Sequence, residues 1–269
     1  MEIKRTYLVV ILIATFISCT NATKTQNEEV LHKSNRQYYQ LKIYAFETKA
    51  QEIATDQYLK EAYLPALKRE GVKQIGVFKS RPNEKDSIQK TYVLAPFTHL
   101  EQFYAITEKL QKDSVYLNTG KTYLNAAYHT PPYKRISSIL LKAFADQPQL
   151  EVPALKNLRK ERIYELRSYE SATEELHRNK VDMFNEGGEI TLFKSLGFQS
   201  VFYGEVLSGP QMPNLMYLTT YKDKTTRDAY WKKFVAAPEW KKMAALDKYQ
   251  HNVSHIDIDF LYPTTYSDY

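Results

Sequence analysis

The sequence predicts an α+β protein made of two tandem ferredoxin-like units, each running β-α-β-β-α-β. Three observations predict it. Motifs recur in one order at a nearly constant offset of domain size. Each copy switches between two-residue and helical hydrophobic periods in the same sequence of elements. The composition, 43% hydrophobic and 25% charged over 269 residues, is enough to bury a core in two small units. The recurrence starts where Tyr39-Gln-Leu-Lys-Ile-Tyr44 answers Tyr164-Glu-Leu-Arg-Ser-Tyr169, 125 residues apart. Gly71-Val-Lys-Gln-Ile75 then answers Gly197-Phe-Gln-Ser-Val201 at 126. Thr91-Tyr-Val-Leu94 answers Met216-Tyr-Leu-Thr219, with Tyr92 and Tyr217 again 125 apart. That period is too long for a solenoid repeat.

In the first copy, residues 38–46 alternate and are rich in Tyr and Ile, which reads as a strand. Residues 51–69 place Ile53, Tyr58, Ala62, Leu64 and Leu67 on one side of a helix that Pro65 should kink and Gly71 should stop. Residues 73–79 alternate again, and Arg81-Pro82-Asn83 turns the chain. A short strand at 91–95, an amphipathic helix at 100–110, more helix around 115–127 and a strand at 135–144 complete the unit. The second copy reads as a strand at 162–170, a helix within 173–195 broken at Gly187-Gly188, and strands at 198–207 and 215–221. Helices at 225–234 and 238–249 and a closing strand at 253–262 follow. The units are therefore expected at residues 37–145 and 162–269, joined by a linker at 146–161 that carries Pro148 and Pro153. A sheet with helices on one face must have its other face covered. Two such units can cover each other, with a cleft expected between the sheets.

The N-terminus reads as an address. Lys4 and Arg5 precede an apolar run from Tyr7 to Ile17, shorter than the roughly 20 residues of a spanning helix. Phe16-Ile17-Ser18-Cys19 resembles a bacterial lipobox, with Phe16 in place of the usual Leu. Residues 1–18 are then a lipoprotein signal peptide, Cys19 the lipidated N-terminus, and 19–36 a polar, flexible tether. The expected location is exported and membrane-anchored, at the periplasmic face or the outer membrane. Cys19 is the only cysteine, so the body has neither disulfides nor a cysteine metal site. The formal charge of +6 is dispersed, without the dense basic run that marks nucleic-acid binding. The 22 tyrosines suggest half-wet surfaces on one reading and ordinary strand formers on the other.

Ile163-Tyr-Glu-Leu-Arg-Ser-Tyr169, Leu215-Met-Tyr-Leu-Thr-Thr-Tyr221, Arg227-Asp-Ala-Tyr-Trp-Lys-Lys-Phe234 and Pro238-Glu-Trp-Lys-Lys242 together resemble the NIPSNAP family. The match spans roughly 162–262, and the first copy matches more weakly and lacks the Trp-bearing stretch. The resemblance implies a dimeric α/β-barrel fold, here pseudo-dimeric within one chain, related in shape to small monooxygenases. It assigns no catalytic residue.

Strand alternation sorts the candidate chemistry. Ile256, Ile258 and Phe260 are expected under the helices, with His255, Asp257 and Asp259 facing the other way. If the polar sides of the strands coincide, one face carries Glu165, Arg167, Tyr203, Tyr217, His255 and Asp257. Such a face could bind a small anionic or carbonyl ligand, Arg167 fixing its charge and His255 moving protons. The reading favoured over that one is a solvated or inter-unit sheet face with cross-strand ion pairs. His255-x-Asp257-x-Asp259 has metal-ligand character but lacks further ligands in sequence, so neither a metal nor another cofactor is assigned. His99, His129, His177 and His251 read as surface or cap residues, and Trp231 and Trp240 as packing anchors. No phosphate loop or nucleophile elbow is present. Two functions stay open: an envelope-tethered small-molecule-binding or interaction module, and a cofactor-independent enzyme of monooxygenase or isomerase type. The expected partners are the membrane through the lipid, a small molecule and, left open, a second copy of the chain.

Overall fold

The computed structural model describes residues 36–81 and 90–269. The signal peptide, Cys19 and all of the tether before Arg36 lie outside the described residues, as does the turn at Pro82-Asn83. The first unit comprises β1 (Tyr38–Ala45), α1 (Lys49–Tyr58), a π-helical turn (Leu59–Tyr63), α2 (Leu64–Arg69), β2 (Gly76–Ser80) and β3 (Lys90–Phe97). Helices α3 (Leu100–Lys112), α4 (Ser114–Thr119) and α5 (Lys121–Leu124) lead to β4 (Arg135–Ala143). The second unit repeats the plan with β5 (Ile163–Glu170), α6 (Glu174–Phe184), α7 (Glu189–Ser195), β6 (Gln199–Ser208) and β7 (Asn214–Tyr221). It ends with α8 (Lys224–Ala236), α9 (Pro238–Ala244) and β8 (His255–Pro263).

Local chemistry accounts for these boundaries. Thr48, Thr173 and Asp223 cap α1, α6 and α8 by accepting the backbone N–H three residues on. Gly71 and Gly197 adopt φ of 84° and 87° after α2 and α7. In both places the next N–H reaches back five residues, from Val72 to Leu67 and from Phe198 to Phe193, the double closure that favours glycine at a helix end. Pro65 does not end its helix. It has no N–H to donate along the helix, and the wide turn just before it accommodates that loss.

The expected pair of ferredoxin-like sheets is present and forms the pseudo-dimeric barrel that the family resemblance implies, closed at both edges and not left as two sheets with a cleft. Each unit has the order β4-β1-β3-β2 or its counterpart β8-β5-β7-β6. The edges then pair, β2 with β8 and β4 with β6, giving one closed antiparallel barrel of eight strands. A barrel of that size leaves an interior that side chains can fill. Tyr39, Leu41, Phe78, Tyr92, Leu94, Tyr164, Leu166, Phe202, Leu218 and Leu261 occupy it. Among the described residues two large apolar clusters lie outside, one under the helices of each unit, and a small one joins Met183, Met243 and Tyr249. The tyrosines are mainly core: Tyr39, Tyr44, Tyr92, Tyr164, Tyr203, Tyr217 and Tyr221 are all fully buried.

The three repeat anchors do not all superpose. Tyr44 pairs with Thr91, and its counterpart Tyr169 pairs with Leu215, so Tyr217 corresponds to Val93 and Tyr92 to Met216. Tyr92 points into the barrel and Tyr217 into the helix layer. One residue of slip reverses a side chain's face.

The C-terminal residues seal one seam. Thr264 and Asp268 donate backbone N–H groups to Val77 and Ile75, and the side chains of Ser267 and Asp268 accept the N–H groups of Val77 and Ile75 in return. Tyr269 inserts its ring 5.4 Å from Phe78 and 6.2 Å from Tyr164. Truncating a buried aromatic removes burial and leaves a cavity, so Tyr269→Ala should cost about 3 to 5 kcal/mol in a urea melt. Tyr128→Ala, at a residue 90% exposed, should stay within about 0.5 kcal/mol.

Candidate functional site

The register of β5 places Glu165, Arg167 and Tyr169 opposite Thr219, Tyr217 and Leu215 of β7, all facing the helices of the second unit. Glu165 is fully buried and is held from three directions. Arg167 Nε donates to its Oε1 at 2.8 Å, and Arg227 donates from Nη2 to Oε1 at 2.6 Å and from Nε to Oε2 at 2.7 Å. Trp231 Nε1 donates to Oε2 at 2.9 Å. Arg227 and Trp231 stand four residues apart on α8 and so share a face. The Arg167 guanidinium lies 3.7 Å from the centre of the Trp231 ring and donates to the Tyr169 hydroxyl, which pairs with Tyr217 at 2.8 Å. Tyr203 stacks on Tyr217 at 5.5 Å and pairs its hydroxyl with Ser200.

The electrostatics follow from this geometry. Burial alone would raise the Glu165 pKa, and the hydrogen bonds and charges of Arg227 and Arg167 outweigh it and hold the carboxyl below its ordinary range. Burial opposes the Arg167 charge too, yet Tyr217, Tyr169 and Glu165 raise its pKa above the usual guanidinium value. Burial pushes Tyr217 and Tyr203 well above the normal phenol range. Every polar group named here has a protein partner. The first unit lacks this network: Gln40 and Lys42 stand where Glu165 and Arg167 do, and bond to Ser138 and Tyr63.

The six residues expected on one face are divided between two. Glu165, Arg167, Tyr203 and Tyr217 come together under the helices. His255 and Asp257 pair in register with Glu170 and Ser168 and face the barrel-interior side, at its mouth. The division arises because β8 meets β5 with Ile258 opposite Arg167 and Phe260 opposite Glu165. Ile256 and Ile258 do lie on the helix side, but no helix reaches over them: they are 44% and 42% exposed. Asp259 accepts a hydrogen bond from Tyr92 at 3.0 Å deeper in the barrel and is not grouped with His255. His177 is buried rather than exposed, with Nε2 3.5 Å from Glu205. Sequence reasoning passed over Arg227. Its signal was the spacing of Arg227 and Trp231 in the same helical stretch.

A cavity of ≈ 640 Å³ opens elsewhere in the second unit, where α7, α9 and the turn at 247–249 meet. Leu192, Leu196, Met243 and Leu246 form much of its wall, and Glu239 and Lys242 also line it. The Gly187 position is committed to this packing, because a Cβ there would stand 2.6 Å from the Tyr249 hydroxyl.

Glu165→Gln should destabilise the protein by about 3 to 5 kcal/mol, since it leaves the buried Arg167 guanidinium without a counter-charge and takes from Arg227 one of its two carboxylate partners, Asp228 being the other. The Glu165 pKa is depressed by folding, so its contribution is complete above the unfolded carboxylate value of about 4.3 and is lost as pH falls through the lower folded value. Denaturant melts between about pH 5 and pH 2 should therefore show wild type losing more stability than Glu165→Gln.

The NIPSNAP family model matches residues 164–268. No curated protein matches the chain. Among solved structures, a "putative monooxygenase" of Fusobacterium nucleatum aligns at 12% identity and TM-score 0.53, covering 85% of this chain and 93% of that one. A second "putative monooxygenase", from Lactobacillus acidophilus, aligns at 10% identity and TM-score 0.51, covering 85% and 94%. An anthrone oxidase-like protein aligns at 10% and 0.50, covering 86% and 92%. These likenesses establish the dimeric α/β-barrel fold. Nearly all of the second unit falls within the family match, including the whole Glu165 network, and the C-terminal part of this chain is similar to NIPSNAP-family domains.

Proposed function

We propose that this protein is a ligand-binding module, tethered to the cell envelope through lipid on Cys19, that takes a small amphipathic molecule between α7 and α9. The cavity there carries the reading. Its volume falls in the range of small-molecule sites, and its wall is mainly apolar with a few polar groups, the pattern that such sites share. Lys242 and Glu239 form no ion pair among the described residues and are available to a polar end of the ligand. An apolar body with a zwitterionic or hydrogen-bonding end fits that lining.

The alternative is a cofactor-independent enzyme of monooxygenase or isomerase type, and the fold likeness speaks for it. Such an enzyme needs an acid–base group and an anion-stabilising group within reach of one point. Arg167 and Tyr217 are sealed among protein partners, and His255 lies on the opposite side of the sheet. Binding without chemistry is the reading that the geometry supports better.

A metabolite screen by thermal shift tests it. A specific ligand at a hundredfold excess over its dissociation constant should add about 2.7 kcal/mol. Thr191→Trp, which fills the cavity from an exposed position, should abolish that shift. A ligand whose shift survives Thr191→Trp would place the site elsewhere. Tethering has its own test: in a Gram-negative host fed labelled palmitate, wild type should label and Cys19→Ala should not.

A further inference from the structure

We propose that the mouth of the barrel, on the interior side of β5 and β8, is a site for one divalent transition-metal ion, with Zn²⁺ its best-matched occupant. This site is separate from the α7–α9 cavity and does not depend on the ligand-binding reading. Glu170 of β5 pairs in register with His255 of β8, and Asp257 follows two residues on along the same face. Each of the three offers one ligand atom, and these atoms lie within 4.8 Å of one another. Ligand atoms bound about 2.0–2.2 Å from one tetrahedral Zn²⁺ lie about 3.3–3.6 Å apart, so side-chain shifts of about an ångström close the set.

Three further observations point to a cation. Glu170 and Asp257 stand together without a Lys or Arg ion pair among the described residues. What holds them is an amide, Gln211 Nε2, which donates to Glu170 Oε1 at 2.9 Å and to Asp257 Oδ2 at 3.1 Å. Hydrogen bonds of that kind orient ligating carboxylates. His255 Nε2 lies 3.1 Å from Asp257 Oδ1, a contact that a shared ion would replace. Finally, Asn214 pairs in register with Glu170 on its other flank and therefore shares this face. It is 2% exposed, its Nδ2 donates to Ser168 Oγ at 2.8 Å, and its Oδ1 is buried without a partner. A buried acceptor with nothing to accept is costly, and on the same face as two carboxylates and an imidazole it offers a cation a fourth ligand atom.

The donor set decides the ion's class. An imidazole with carboxylate and amide oxygens suits Zn²⁺ or Mn²⁺ better than Mg²⁺ or Ca²⁺, which favour oxygen alone, and among these Zn²⁺ binds such sites more tightly than Mn²⁺. The His255 and Asp257 side chains are 57% and 49% exposed, so an ion can enter from solvent and keep water in its remaining positions.

The test is calorimetric titration of the purified full-length chain, stripped with EDTA, against Zn²⁺. One equivalent should bind, and His255→Ala and Glu170→Gln should each weaken it at least about tenfold. His129→Ala, at an exposed histidine outside the cluster, should leave affinity unchanged. His255 is exposed, so its variant should keep the wild-type circular dichroism and metal-free melt. If it does not, Asp257→Asn is read in its place. Absence of a stoichiometric Zn²⁺ site overturns the proposal, and so does equal affinity in wild type and His255→Ala.

Discussion

The constraint on which the structure depends is the pair of bare edges and the bare apolar face that each four-stranded unit leaves. Helices cover one face of each sheet only. The other face exposes residues such as Tyr39, Leu41, Tyr164 and Leu166, and the edge strands expose unpaired backbone groups. Closing β2 on β8 and β4 on β6 meets both demands at once. It has a consequence for function. The interior is packed by rings from both units, and the cavity beside α7 and α9 lies outside it. Chemistry is displaced to the helix layers outside the barrel and to its mouth.

The two helix layers have used that freedom differently. In the second unit, Glu165 joins β5 to α8 through two arginines and a tryptophan, and in the first, Gln40 and Lys42 join β1 to Ser138 and Tyr63 without a carboxylate. Replacing a neutral amide by Glu165 obliges the structure to bury cations with it, since an unpaired charge there would cost far more than the pair returns. The stretches that carry the family resemblance, at 163–169 and 227–234, are the ones that meet in this network.

Much of the fold was legible, and the reasons for what was not are specific. Tyr39 to Tyr44 and Tyr164 to Tyr169 alternate clearly and marked the first strand of both units, with Leu166 set opposite Glu165 and Arg167, but alternation did not say which side meets the helices. Gly71 announced itself because a left-handed helix end strongly favours glycine, and Gly197, read only as its repeat counterpart, plays the same part. Residues 91–97 and 214–221 are buried on both faces, so their near-continuous apolar pattern carries no register, and Tyr92 was matched to Tyr217 one residue out. The candidate site failed on a different point. Alternation sorts side chains within one strand, but which faces of β5 and β8 coincide is decided by pairing. The sequence reading set Arg167 with His255, whereas pairing sets His255 with Glu170 and Arg167 with Ile258. Buried charges on the helix side ran against the expectation that polar residues mark an open face, because Arg227 arrives from a helix sixty residues on in sequence. Closure itself could not be read from either copy alone, since it is made by edges that each copy merely leaves free.

Amide hydrogen exchange tests this account most directly. If the barrel is closed and filled, amides bonded across the two seams, at 78–80 with 261–263 and at 140–143 with 204–208, exchange as slowly as those of the β1–β3 and β5–β7 ladders, by global unfolding alone. Seam amides that exchange much faster than the central ladders would mean that the halves open, restoring a cleft between the sheets and contradicting the placement of ligand and metal outside it.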